Sequence, residues 1–304
     1  MKKNYNTNNV ITNATNDIVA YPEISRINGR ITCQTVKDFL HNNGFLSTEN
    51  YNNPNCDYYY IAAGIISAFR TGALSLNCTK QKGIVNQTPI RMSTNLGGKM
   101  KNVWAFSTLS LCNPFCLARM QKKDLVCAHC YVKKSLHINA ILNYCQNFYV
   151  LTAGLLPAAW IPVINPKNVT RHPIIRLEAM GDLANYEQAC NYLTIANNNP
   201  VFRFGLWTKN PRILVQAIDD MEKPSNLSTV LSMSRVNKFD DNDGRYMAYF
   251  DHKFIVVDSI QLRDRLLTGK NTYQCKCGPN SCLHCQQCYH KDSNYVTAVE
   301  MLRK

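Results

Sequence analysis

PIIRLEAMGDLANYEQACNYLTIANNNPVFRFGLW, residues 173–207, reads as strand, helix, strand. PIIRL (173–177) and VFRFGLW (201–207) are short runs rich in β-branched and aromatic side chains, and the helical pattern between them covers residues 186–197. The same alternation continues on both sides. Downstream come a helix over 211–221 with Pro211 at its first turn, a strand at TVLSM (229–233) and another at FIVVD (254–258). Upstream, WAFSTLSL (104–111) predicts the first strand and residues 137–153 the helix after it. Strands of about five residues separated by helices of about 10–15 residues define βα units, and the pattern predicts an α/β fold: a partial or complete (β/α) barrel on a mostly parallel sheet.

In such sheets ligands collect at the carboxyl ends of the strands. The polar residues that follow each predicted strand are therefore the candidate site. They are Ser110 and Cys112, then Glu178, Gly181 and Asp182, then Thr208, Lys209 and Asn210, then Ser232 and Ser234, then Asp258 and Ser259. Of these, Glu178, Gly181, Asp182, Lys209, Ser232 and Ser234 are the candidate cofactor contacts.

The cysteines add chemistry to this frame. Nine of the 14 fall into two groups: Cys112, Cys116, Cys127 and Cys130 after the first strand, and Cys275, Cys277, Cys282, Cys285 and Cys288 further on. Thiols gathered this tightly suit zinc or iron–sulfur, which need several soft, deprotonated donors around one point. A disulfide framework belongs to short secreted chains, and MKKNYNTNNVITNATND at the start lacks the apolar stretch of an export signal. A reducing cytoplasm is the expected setting. In the second group the gaps of four, two and two residues suit either a ferredoxin-type loop or a closed four-cysteine zinc site, with His284 and His290 as substitutes for one thiolate.

Cys127 and Cys130, flanking His129 and following a strand, give the chain a resemblance to the radical S-adenosylmethionine enzymes, whose three-cysteine loop follows the first strand of an α/β barrel. Their loop spaces its cysteines by three residues and then two, whereas ten residues separate Cys116 from Cys127 here. The chain more closely resembles the phage "gene product 88"-like proteins. Lys99 and Lys101, AFSTLSL, Cys112 with Pro114, Cys127, Cys130 with Tyr131, RLEAMGDL, LWTKN and the final cysteines carry that resemblance in order over residues 95–290.

The resemblance implies a [4Fe-4S] cluster on Cys112, Cys127 and Cys130, with Cys116 as the competitor for the first place, and a second cluster if the later group also takes iron. It further implies S-adenosylmethionine held at Glu178, Gly181 and Asp182, and an electron donor such as a flavodoxin or ferredoxin as partner. Zinc at either group is the alternative, and the substrate is undefined.

The net charge of +14 offers a polyanion a favourable surface, which makes nucleic acid a candidate partner and a zinc-stabilised nucleic-acid-binding protein the competing function. Arg119, Lys122, Lys123, Lys133 and Lys134 interleave with the first cysteine group. No apolar run reaches the roughly 18 residues of a membrane span, so no membrane association is expected. The division expected is an N-terminal arm and helical cap over 1–94, the barrel over 95–268 and a Cys-rich metal-binding segment over 269–304. Residues 1–30 read as a loosely packed arm, and helices stopped by Gly44 and Gly72 make up the cap.

Overall fold

The computed structural model describes residues 21–94, 96–134, 136–238, 242–275, 278–291 and 296–302. Its centre is an eight-stranded sheet: β1 (Met92–Ser93), β2 (Trp104–Phe106), β3 (Ile174–Leu177), β4 (Arg203–Thr208), β5 (Leu227–Ser232), β6 (His252–Val257), β7 (Thr272–Gln274) and β8 (Val296–Met301). The strand order is β1-β2-β3-β4-β5-β6-β8-β7. Only β1 runs antiparallel to its neighbour; the rest pair in parallel. Among the described residues no pairing joins β1 to β7, so the sheet is an open one with its parallel strands laid down almost in sequence order.

The helices follow from local signals. In the N-terminal region stand α1 (Cys33–Asn42), α2 (Thr48–Asn52) and α3 (Tyr58–Thr71); Asp57 caps α3 by accepting from Tyr59 N, and Gly72 ends it at φ 77°. Next come α4 (Pro114–Met120) and α5 (Ile138–Thr152). α6 (Tyr186–Asn197) starts where Asn185 accepts from Gln188 N, and α7 (Pro211–Met221) has proline in its first turn. α8 (Ile260–Leu267) and α9 (Ser281–Cys285) complete the described helices. None of the described helices is long and apolar enough to cross a membrane.

Alternation along the strands sorts their side chains onto two faces. Phe204 and Leu206 of β4, Leu231 of β5 and Ile255 and Val257 of β6 share one core with Tyr192 and Leu193 of α6 and Leu214 of α7. Ala105, Arg176, Gly205 and Ser228 form a single register row on the opposite face. A second core joins α1, α3 and α5 through Leu40, Ile65, Phe69, Ile141 and Leu142.

The predicted βα series matches the observed elements from β2 to β6, with one shortened strand. β2 stops at Phe106 because the backbone beyond it turns to bond the end of β3: Ala179 N donates to Ser107 Oγ, and Thr108 N to the Glu178 carboxylate. Ahead of the first predicted strand, Met92–Ser93 adds β1 to the sheet. The segment read as a Cys-rich tail contributes β7 and β8 to the sheet, and its cysteines lie between those strands. Of the expected N-terminal arm, residues 1–20 lie outside the described residues.

Candidate metal centre and cavity

On the sheet face opposite the helix-packed core lies a cavity of about 760 Å³. Both cysteine groups open onto it. From the first group, Cys116, Cys127 and Cys130 line the wall; from the second, Cys275, Cys282, Cys285 and Cys288 do. Cys277 lies outside the described residues.

The chain builds the first group in two pieces. Asn113 accepts from Phe115 N to start α4 and donates to Asp182 O, at 2.7 Å, which ties the helix carrying Cys116 to the end of β3. Cys127 sits in the turn Val126–His129, and Val126 N donates to Ser234 O, at 2.9 Å, which ties that turn to the end of β5. Cys112 takes no part in the cavity: its sulfur is 3.5 Å from that of Cys145 on α5, and both thiols belong to the helical core. Between Cys112 and Cys116 the extended backbone of Asn113, φ −94° and ψ 114°, breaks what a continuous helix would align on one face. Burial, with Asp182 adding to it, pushes the Cys116 thiol far up; burial does the same to Cys130, while Lys209 pulls both the other way.

Carboxylates dominate the mouth. Glu178, with φ 54°, ends β3 and is 2% exposed. Its carboxyl accepts from Thr108 N and Oγ1, from Gln188 Nε2 at 2.6 Å and from the Tyr192 hydroxyl. Burial nevertheless pushes it up to about 8, against those hydrogen bonds. Gly181 is fixed by the same cluster, since a Cβ there would stand 2.5 Å from Glu178 Oε2 and 2.6 Å from Thr108 Oγ1. Asp182 accepts from Thr208 Oγ1 at 2.5 Å, Leu183 N at 2.8 Å and Lys209 N at 3.0 Å, so it also locks β3 to β4. Lys209 and Ser232 line the cavity as well; Ser234 instead supplies the backbone tie to the cysteine turn.

The second group crosses the sheet as the cavity floor. Tyr289, 4% exposed, packs with Val103, Ile174, Trp207 and Val230, and Cys282, Leu283 and Cys288 rest on the same cluster. His252 Nε2 meets His290 O at 2.8 Å, and the Tyr273 hydroxyl is 2.7 Å from Cys288 Sγ. Here the neighbours are cations. Lys99 Nζ lies 2.6 Å from Glu300 Oε2 and 3.4 Å from Cys275 Sγ, and Arg176 lowers the thiols of Cys282 and Cys288. Burial still outweighs them, raising Cys282 and pushing Cys275 up to about 11 and Cys288 up to about 12.

Sequence reasoning passed over Arg176, Trp207 and Tyr289. The Arg176 guanidinium lies over the Trp207 ring, 3.2 Å from its centroid, and Trp207 meets Tyr289 edge-on at 5.3 Å. Gly205 makes the room, because a Cβ there would stand 2.5 Å from the Trp207 ring and 2.8 Å from Tyr289. The signal was present in PIIRL, where alternation puts Arg176 on the face opposite Ile175 and Leu177.

Among the described residues no three His, Cys, Asp or Glu side chains converge closely enough to hold one ion. No family model, curated protein or solved structure matches the chain. The arrangement supplies soft donors on two walls of one cavity, a carboxylate mouth and a cationic floor.

Proposed function

We propose that the chain is an iron–sulfur enzyme of the radical S-adenosylmethionine kind, similar in its partial barrel to the phage "gene product 88"-like proteins, with its reactive cluster on Cys116, Cys127 and Cys130. One observation carries the reading: three thiols from the segment after β2 share a cavity with Glu178, Gly181 and Asp182 from the segment after β3. The donor chemistry fits. Three thiolates are one short of the set that closes a four-iron cluster, so a small chelating cofactor has a place on the remaining iron. Because burial holds the Cys116 and Cys130 thiols protonated, cluster uptake must release protons and draw the two tied pieces of the loop together. When bound, such a cluster supplies single electrons to the cofactor it holds.

The chain's own groups divide the remaining work. Asp182 offers a carboxylate to the cofactor's ammonium, a charge-assisted contact. Glu178, saturated by donors, holds the loop that presents Asp182 and Gly181. Lys209 supports deprotonation of Cys116 and Cys130. The thiols of the floor form a second metal site, iron or zinc.

Iron, zinc and sulfide analysis of protein prepared without oxygen tests this. About four irons at the first site are expected, lost in Cys127→Ala, together with saturable S-adenosylmethionine binding. Zinc at full occupancy in both groups with no cofactor binding would sink the reading. The net charge of +14 favours a second reading, a zinc-stabilised nucleic-acid-binding protein without catalysis. It requires binding to DNA or RNA that weakens steeply as salt rises, and absent or salt-insensitive binding removes it.

A further inference from the structure

The cavity floor contains a buried cationic donor that no described residue fully satisfies. Arg176 projects from β3 on the cavity face, in the register row that also holds Gly205 and Ser228. Its Nε is buried without a hydrogen-bond partner among the described residues, while the guanidinium reaches the Tyr289 hydroxyl beside it. Glu300, the carboxylate nearest in kind, is taken by Lys99 at 2.6 Å. A buried donor left unpaired is costly, so Arg176 Nε calls for an acceptor that none of the described residues provides.

The geometry narrows what that acceptor is. The face of the guanidinium is occupied by the Trp207 indole, which leaves its donor edge as the interacting surface. Trp207 is held from below by Tyr289, and any side chain at position 205 would collide with both rings. The fork is thus fixed in orientation before anything binds, and a fixed planar fork matches two oxygens of one oxyanion. The surroundings are dry enough for such a contact to be strong, since Tyr289 is 4% and Trp207 9% exposed.

We propose that Arg176, laid on Trp207 and flanked by Tyr289, docks an oxyanion of the substrate, a carboxylate or a phosphate group, on the cavity floor. This rests on the reading of the cavity as a substrate chamber between the two cysteine groups and adds the substrate's chemical class to it. The oxyanion lies at the end away from the carboxylate mouth, where Asp182 is given to the cofactor's ammonium. A substrate carrying a single acidic group then enters in one orientation.

Calorimetric titration of the full chain with inorganic phosphate and, separately, with glutarate tests the proposal on both metal-loaded and chelator-stripped protein. At least one of the two anions should bind saturably, and which one it is distinguishes the two sources. Arg176→Gln should weaken it at least tenfold, about 1.4 kcal/mol, with Arg176→Lys falling between the two because it keeps the charge and loses the fork. Trp207→Phe, which keeps a ring beneath the guanidinium, serves as the second variant should Arg176→Gln fail to fold; a weakening of several-fold is expected from it. Binding of neither anion, or equal affinity in the wild type and Arg176→Gln, overturns the proposal. So does loss of metal from the floor cysteines in Arg176→Gln with no anion binding by the wild type, which would make the guanidinium a counter-charge to thiolates. Anion binding that survives chelation in a protein that binds no S-adenosylmethionine would support this inference while refuting the enzyme reading.

Discussion

The two cysteine groups face one cavity from opposite electrostatic settings. The first stands among carboxylates, with Asp182 and Glu178 both raising the Cys116 thiol. The second stands among cations, with burial raising the Cys282 thiol and Lys99 and Arg176 opposing that rise. They also differ in anchorage. The first hangs on two backbone ties, Asn113 to Asp182 and Val126 to Ser234, whereas the second is packed into the sheet through Tyr289 and Leu283. Shared ligand chemistry therefore does not mean a shared job: the floor group is part of what holds the sheet's cavity face together, and the mouth group is free of that duty.

Loss of floor packing should give the largest effect. Tyr289→Ala removes the ring wedged against Trp207 and should cost about 3–5 kcal/mol in urea unfolding, and a cost below about 1 kcal/mol would break the distinction drawn here. Gly181→Ala should cost about 1–3 kcal/mol, because its Cβ would intrude on Glu178 and Thr108; an unchanged melting temperature would show that the mouth loop yields freely.

A pH series sharpens the picture of the mouth. Glu178 has a folded-state value of about 8 against an ordinary 4.5, so its contribution to stability is complete below the ordinary value and is lost as pH rises toward 8. Asp182, Tyr192, Tyr144 and Cys116 are the titratable groups coupled to it. Stability should fall by up to about 1.4 kcal/mol per pH unit across that window, and Glu178→Gln should flatten the curve. An unchanged slope in the variant would assign the pH response to another group. The smallest effect is expected from Cys127→Ala in metal-free protein, under about 0.5 kcal/mol by the same urea titration; a cost like that of Tyr289→Ala would put the two groups on an equal structural footing.

Where local chemistry decides, the sequence was readable to the residue. Asn185 and Pro211 set the starts of α6 and α7, and both helices span the predicted residues, 186–197 and 211–221. β7 and β8 escaped notice because three residues at 272–274 carry too little pattern and the cysteines beside them drew a metal reading instead. The choice between Cys112 and Cys116 was equally out of reach, since it turns on the extended backbone at Asn113 and on a long-range partner, Cys145. The strand-end rule did find Glu178, Gly181, Asp182, Lys209 and Ser232 on the cavity wall. It missed Arg176 because that residue lies inside a strand, where attention to loop residues does not reach.

The strand order carries a consequence for assembly. β7 precedes β8 in the chain, yet β8 lies between β6 and β7, and the only strand partner of β7 among the described residues is β8. Residues 272–274 therefore have no sheet to join until residues 296–301 have slotted in beside β6, and the cysteines between them gain a settled floor only at that moment. Up to that step the chamber stands open from below, because Tyr289 and the cysteines around it have no completed sheet edge to hold them over Val103, Ile174 and Trp207.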